Sequence, residues 1–269
     1  MTRSTSKTVT WDAAEYAANS APQEEWAREL IARLQLRGDE NILDVGCGDG
    51  RVTAEIARAV PRGSATGIDA SPQMIDFAKQ QFPYSRVPNL EFHNMDARQI
   101  RFNRQFDYIF SNAALHWVDD HPAFLRGAAR CLRPGGRLVV SCGGKGNAQD
   151  VFLALRPEMR LKRWRNYFRK MPRPYFFHSP AEYKRWLPQF GLRRNDVLLV
   201  PKDAYYEGRA GFATWLRTTW LPYTQCVPAA SREEFIAAVT ERYVAKHPPD
   251  SEGRIRVRMI RLEIDAEKI

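Results

Sequence analysis

The sequence predicts an α/β fold: a doubly wound, mostly parallel sheet with helices on both faces. Two observations predict it. Short apolar runs alternate with stretches of helical spacing through the first 145 residues, and that alternation builds a parallel sheet covered on both sides. The first run ends in a glycine-rich turn that opens straight into a helix, as strand-to-helix junctions of such sheets do.

Asn41–Val45 (NILDV) is the first strand, and Arg51–Ala59 follows with helical spacing. Ser64–Asp69 is the second strand. Ser71 and Pro72 open the next helix, the hydroxyl as N-cap and the proline at the first helical position, where its missing N–H costs nothing. Leu90–Asn94 and Phe106–Asn112 read as the third and fourth strands, Pro122–Leu132 as a helix, Arg133–Gly136 as a turn and Arg137–Cys142 as the fifth strand. The second half is less regular. Ala148–Lys170 is expected to be helical with a break near Pro157, Pro180–Phe190 helical, and Leu192–Val200 a strand. Gly211–Leu221 and Arg232–Ala245 are expected helices, and Arg254–Ile264 alternates charged and apolar residues as a half-exposed strand does. The expected organisation is a core over 1–142 with an N-terminal cap helix, a helical lid insertion over 143–191, and remaining core strands with substrate-side helices over 192–269.

At 269 residues, 44% hydrophobic and 27% charged, the chain has the composition of an ordinary globular protein, which excludes a disordered or fibrous one. No apolar run approaches the ~18 residues that span a bilayer. The opening MTRSTSKTVTWDAAEY lacks the apolar stretch of a signal peptide. Cys47, Cys131, Cys142 and Cys226 lie far apart with no C-x-x-C pair, so neither a disulfide framework nor a metal site is expected, and the cytoplasm is the expected location. The formal charge of +10 is local: residues 151–210 hold 14 Lys+Arg against 5 Asp+Glu, and the rest of the chain is nearly balanced.

The segment that carries chemistry is Ile42-Leu43-Asp44-Val45-Gly46-Cys47-Gly48-Asp49-Gly50-Arg51, a strand ending in G-x-G-x-G. Glycines let the backbone approach a ligand closely, and the helix behind offers unpaired N–H groups. A dinucleotide fingerprint would place its third glycine one residue later. Asp44 also argues against a pyrophosphate, because a carboxylate before the first glycine repels an anion and suits a ligand carrying an ammonium and a sulfonium. Asp69, 21 residues after Gly48, stands where a carboxylate accepts hydrogen bonds from ribose hydroxyls. Asp96 and Ala97 follow the third strand, where an acid could hold an adenine amino group.

These residues resemble the class I S-adenosylmethionine-dependent methyltransferases. The likeness lies in DVGCGDG, GIDAS, MDA after the third strand, SNAALHW after the fourth and LRPGGRLVV of the fifth, over roughly residues 40–142. It implies a Rossmann-like seven-stranded sheet in the order 3-2-1-4-5-7-6 with strand 7 antiparallel. It also implies S-adenosyl-L-methionine as cofactor and S-adenosyl-L-homocysteine as product. Tyr16, Asp44, Gly46, Cys47, Gly48, Asp69, Ala70, Met74, Asp96, Ala97 and Asn112 become candidate cofactor contacts. Met74 either flanks the adenine or packs in the core, and Trp11 and Tyr16 either cover the cofactor or staple the first helix.

A narrower resemblance is to the branch of trans-aconitate and juvenile hormone acid methyltransferases. It rests on Trp11, Tyr16, Asn19-Ser20 and Gln23, on Leu115-His116-Trp117, and on Trp215–Tyr223. In that branch a glutamine and a tryptophan hold the acceptor carboxylate, which implies Gln23 and Trp117 here, with His116 beside them. The implied reaction is O-methylation of a small-molecule carboxylate. A carboxylate is already a nucleophile, so the enzyme needs mainly to position the reactants and exclude water. His116 is the local candidate for a base or a positioning group. Arg217 and Tyr223 either close over an acid or lie on a solvated helix face.

Arg160–Lys170 has six cations among eleven residues, interleaved with Trp164, Tyr167 and Phe168. On a helix, Leu161, Trp164 and Phe168 would form one apolar face. An amphipathic lid helix over an anionic acceptor is the first reading, and a membrane-surface or acyl-carrier contact the second. The alternative function is methylation of RNA, a protein or an acyl-carrier-bound acid through this segment. General nucleic-acid binding is secondary, since no known RNA-binding module accompanies the patch.

Overall fold

The computed structural model describes residues 21–269, with side chains from residue 25 onward. The sheet has seven strands, β1 (Asn41–Val45), β2 (Ser64–Asp69), β3 (Leu90–Asn94), β4 (Phe106–Asn112), β5 (Leu132–Gly143), β6 (Leu192–Glu207) and β7 (Arg254–Lys268). Their order is β3-β2-β1-β4-β5-β7-β6, the order the resemblance implies. Strands β1 to β5 pair in parallel, and β7 runs antiparallel to β5.

The pleat sends alternate residues to opposite faces, and both faces are covered. Leu43, Val45, Ile68, Ile109, Leu138, Val140, Leu262 and Ile264 pack with Phe124, Leu125 and Ala128 of one helix (α4, His121–Cys131). Ile42, Ala65, Phe110 and Val139 face the other way. They meet Leu30 of α1 (Ala21–Ala32), Ile56 of α2 (Arg51–Ala59) and Ile75 of α3 (Pro72–Gln81). Deleting a ring such as Phe110, which is fully buried, would cost about 3–5 kcal/mol.

The described residues divide into two compact units, one of 21–145, 175–200 and 260–269, the other of 146–174 and 201–259. Residues 175–191, expected with the insertion, cluster with the sheet unit. The second unit contains α5 (Gln149–Arg160), α6 (Arg165–Phe168), α8 (Gly208–Thr219), α9 (Leu221–Thr224) and α10 (Ala229–Val244). Its interior is aromatic, with Phe152 edge-on to Trp220 at 4.9 Å, Phe212 stacked on Tyr243 at 4.6 Å and Trp164 edge-on to Phe235 at 5.5 Å.

Three local expectations are corrected. The turn at Arg133–Gly136 is an irregularity inside β5, whose pairing already begins at Phe106 with Leu132 and shifts register before Tyr108 meets Arg137. The helix expected to break near Pro157 runs through it to Arg160. A proline there leaves the carbonyl four residues back without its partner. That residue is Leu153, which is exposed, so water can serve it. The chain leaves the helix at Leu161, which turns to an extended conformation and is exposed. Leu161, Trp164 and Phe168 therefore share no helical face; Trp164 and Phe168 both pack on Phe235 without it. The expected helix Pro180–Phe190 is α7 (Pro180–Trp186), with a Ser179–Glu182 capping box, followed by a 3-10 turn over Leu187–Phe190.

Candidate cofactor and acceptor site

β1 ends with Asp44 buried, its carboxylate accepting a hydrogen bond from the Thr53 hydroxyl of α2 at 2.7 Å. Burial pushes its pKa up to about 7, the Thr53 bond pulls against that, and the charges of Asp69 and Asp49 add to the rise. A buried carboxylate held this way gains from a cation placed against it. The loop behind it is left-handed at Gly46 and Gly48, with φ of 79° and 54°. A Cβ on Gly46 would overlap that of Ala114, whereas one on Gly48 would meet nothing within 4 Å. The loop is thus closed by packing at Gly46 and open at Gly48. The N–H groups of Gly46 and Cys47 both donate to the carbonyl of Ile68, at 2.7 and 3.0 Å, which pins the loop to β2. Cys47 is buried and its thiol is pushed well up, so it serves packing rather than nucleophilic chemistry.

Asp69 closes β2, half-buried. It accepts the N–H of Gly48 at 3.1 Å on one oxygen and the N–H of Ser71 at 2.8 Å on the other. Burial raises its pKa against the pull of both bonds. Ala70 is exposed beside it, and Met74 is buried on α3. Asp96 caps the 3-10 turn Ala97–Gln99 and is gripped by the Arg98 guanidinium at 2.5 to 3.1 Å, with Arg98 reaching Asp119 at 2.9 Å. Burial pushes the Asp96 carboxyl up, and the Arg98 hydrogen bonds outweigh it and hold it below its ordinary value. The donor set fits a cationic nucleoside: a buried carboxylate in want of a cation, an open glycine, and a second carboxylate at the end of the neighbouring strand.

The far side of the site is built at the ends of β4 and β5. Asn112 is followed by Ala113, a non-glycine residue at φ 57°, whose N–H donates to Ser141 at 2.8 Å. Arg261 of β7, only 4% exposed, donates to the Asn112 side chain at 3.1 Å and to the Ser141 hydroxyl and carbonyl at 3.1 and 2.7 Å. Its guanidinium lies 5.1 Å from the Trp26 ring centre.

His116 and Trp117 sit in a 3-10 turn over Leu115–Trp117. The N–H of Gly143 donates to His116 Nδ1 at 3.3 Å. Nδ1 is therefore the acceptor and the ring proton rides on Nε2. Burial first, then the charges of Arg261 and His121, push the His116 pKa down to about 3. Tyr175 and Phe177 complete the aromatic wall: Tyr175 lies 4.8 Å from Trp117, Phe177 6.0 Å from His116, and the intervening Phe176 N–H donates to the His116 carbonyl at 2.8 Å.

The structure brings Asp44, Gly46, Cys47, Gly48 and Asp69 together around one loop, and joins Asn112 to Arg261, whose charge also acts on His116. Tyr16 and Trp11 lie outside the described residues, as does the side chain of Gln23. Arg217 is held by Glu233 at 2.5 and 2.8 Å, and burial pushes Tyr223 up to about 12. Sequence reasoning missed Arg261, Tyr175 and Phe177. A signal for Arg261 was present: Ile255, Val257 and Met259 are the buried parity of β7, and Arg261 and Glu263 continue it as charges. Among the described residues no group of three His, Cys, Asp or Glu could hold a metal ion, and no helix is long and apolar enough to cross a membrane.

A family model described as a methyltransferase domain matches residues 42–136. The chain is 28% identical over 272 residues to a trans-aconitate 2-methyltransferase of Methylobacterium nodulans, covering 96% of this chain and 98% of that one. It is 33% identical over 187 residues to an uncharacterized methyltransferase of Schizosaccharomyces pombe, covering 68% of this chain and 70% of the relative. A Streptomyces coelicolor geranyl diphosphate C-methyltransferase, solved with S-adenosyl-L-homocysteine, superposes with a TM-score of 0.55 at 16% identity over 91% of this chain and 76% of its own. A Bacillus halodurans protein described as a methyltransferase superposes with a TM-score of 0.62 at 18% identity over 90% and 98%. With the strand order, the glycine loop and the paired carboxylates, these likenesses establish that the chain belongs to the class I S-adenosylmethionine-dependent methyltransferases.

Proposed function

We propose that the chain transfers a methyl group to a carboxylate oxygen of a small organic acid, with trans-aconitate, the acid named for its relatives, as the first candidate. The observation that carries this reading is the state of His116. With Nδ1 accepting from Gly143 and a pKa near 3, the ring is a neutral Nε2–H donor and a poor base. An alcohol or phenol acceptor would need a base to remove its proton. A carboxylate needs none.

S-adenosylmethionine supplies a methyl carbon already activated by its positive sulfur. Asp44 would hold the cationic part of the cofactor, Asp69 the ribose hydroxyls, and Gly46, Cys47 and Gly48 the backbone approach. Ala70, Met74, Asp96 and Ala97 would line the adenine, with Asp96 held in place by Arg98, and Tyr16 and Asn112 would bound the cofactor on the remaining sides. Gln23 and Trp117 would orient the acceptor carboxylate, and His116 would donate Nε2–H to it. So held, the carboxylate would present an oxygen in line with the methyl–sulfur bond; the products would be a methyl ester and the neutral thioether, and no residue would need to take a proton. The residues act by position and by excluding water.

The test is a methyl-transfer assay with S-adenosylmethionine over trans-aconitate, other di- and tricarboxylates, fatty acids, phenols, amines and RNA. A base-labile methyl ester on an acid is the expected product. Base-stable label on an amine, phenol or RNA, with none on any acid, would overturn the reading.

A further inference from the structure

A second concavity lies within the unit of 146–174 and 201–259, with a volume of about 720 Å³. Arg156, Met159 and Arg160 line it from one face of α5, at i, i+3 and i+4, and Arg165, Asn166, Phe168 and Arg169 line it from the short α6 and its end. The bend at Leu161–Trp164 brings these two groups together. All four arginines are exposed, while Met159 and Phe168 are half-buried. The cavity therefore has cationic walls and partly sheltered apolar side chains.

The charges in this unit are unevenly paired. Arg163, Arg209, Arg217, Arg242, Arg254 and Arg258 each sit against a carboxylate at 3.6 Å or less. Among the described residues, none of the four arginines in the cleft has a carboxylate at ion-pair distance; Arg156 lies over the Phe152 ring at 5.5 Å instead. Four guanidiniums gathered around one cavity repel one another, and a multiply charged anion relieves that repulsion. Guanidinium forks match phosphate oxygens in pairs, and the volume falls in the range of small-molecule sites. A polynucleotide would call for a long groove that tracks a backbone, whereas the lining here is confined to the short stretch from Arg156 to Arg169.

We propose that this cleft binds a nucleotide-sized diphosphate, its phosphates on Arg156, Arg160, Arg165 and Arg169 and its base against Met159 and Phe168. The source is either a free nucleoside diphosphate or the nucleotide end of a coenzyme A conjugate; both present a diphosphate joined to a nucleoside.

The full chain, first saturated with S-adenosyl-L-homocysteine so that nucleosides cannot enter the cofactor site, is titrated by calorimetry. The probes are adenosine 5′-diphosphate, coenzyme A, pyrophosphate and adenosine. One site is expected for adenosine 5′-diphosphate or coenzyme A, with the tighter of the two naming the source, pyrophosphate weaker and adenosine silent. Arg160→Ala and Arg165→Ala should each weaken binding about tenfold or more. Arg165→Lys should recover part of the loss, and Lys162→Ala, outside the cleft, should change nothing. Absence of binding by both nucleotides, or binding indifferent to the arginine variants, would overturn the proposal. So would capture of single-stranded RNA or of anionic phosphatidylglycerol vesicles through the same arginines without nucleotide binding.

Discussion

Asp69 accepts the backbone N–H of Gly48 at 3.1 Å, so the carboxylate that ends β2 is tied to the glycine loop that ends β1. Its other oxygen accepts the N–H of Ser71, the N-cap of α3. One side chain thus fixes the loop, the strand end and the helix start against each other.

Replacing Asp69 by alanine removes both anchors as well as the proposed ribose acceptor. We expect Asp69→Ala to weaken S-adenosyl-L-homocysteine binding about tenfold or more, since each factor of ten is ~1.4 kcal/mol. Calorimetry checks this. Affinity equal to wild type would remove Asp69 from the cofactor site.

In its proposed role against the cationic part of the cofactor, Asp44 would make cofactor affinity depend on pH. Its carboxyl, raised to about 7 by burial, is mostly protonated at pH 6 and mostly ionised at pH 8. A cationic ligand prefers the ionised form, so affinity should fall as pH drops from 7.5 to 5.5, approaching about tenfold per unit at the acid end. Asp44→Asn should flatten that slope. A wild-type slope that survives the substitution would assign the titration to another group.

His116 should leave no mark on the pH–rate profile with a carboxylate acceptor. Its pKa near 3 keeps it neutral throughout the working range. We expect kcat to be level between about pH 6 and 9, and His116→Asn, which keeps a donor, to lower the rate without bending the profile. An acid limb near pH 6.5 in the wild type that vanishes in His116→Asn would make the ring a base after all.

His121 ties stability to pH. It is fully buried, donates Nε2–H to the carbonyl of Leu115 at 2.8 Å and accepts the Tyr183 hydroxyl at 2.5 Å on Nδ1. Burial, then the nearby His178, depress its pKa to about 4. The unfolded chain takes up this proton near pH 6.5 and the folded one near 4, so stability is lost as pH falls through that window, about 3 kcal/mol in all. Asp44 works in the opposite direction, stabilising the fold as it protonates below 7. Urea unfolding of wild type and His121→Gln at pH 7 and 5 isolates the histidine. The variant should lose about 2 kcal/mol less than wild type over that step. Equal losses in the two proteins would refute the assignment.

Much of the sheet unit was legible because its signals are local. NILDV, SATGID, LEFHN and FDYIFSN each carry strand chemistry within five to seven residues, and β1 to β4 begin and end where the residues said they would. The glycine loop was legible for the same reason: a left-handed turn at Gly46 and Gly48 leaves its mark in residue type. The segment after Arg160 was misread because helical spacing continues in the sequence past the point where the backbone turns away at Leu161.

By itself, the sequence determined the α/β class, the strands that build the sheet, and the two acids, Asp44 and Asp69, around the glycine loop. Local propensity, burial pattern and turn chemistry act between neighbours in the chain, so they can be read there. Only the tertiary structure decided what each acid and ring meets. It put Arg261 beside Asn112 and near His116, clasped Asp96 with Arg98, set Tyr175 and Phe177 against the His116–Trp117 turn, and gathered four arginines around one cleft. Protonation states and ligand preferences depend on charges and burial supplied by residues far apart in sequence, as Arg261 and His116 are, and those distances are set only when the chain is packed.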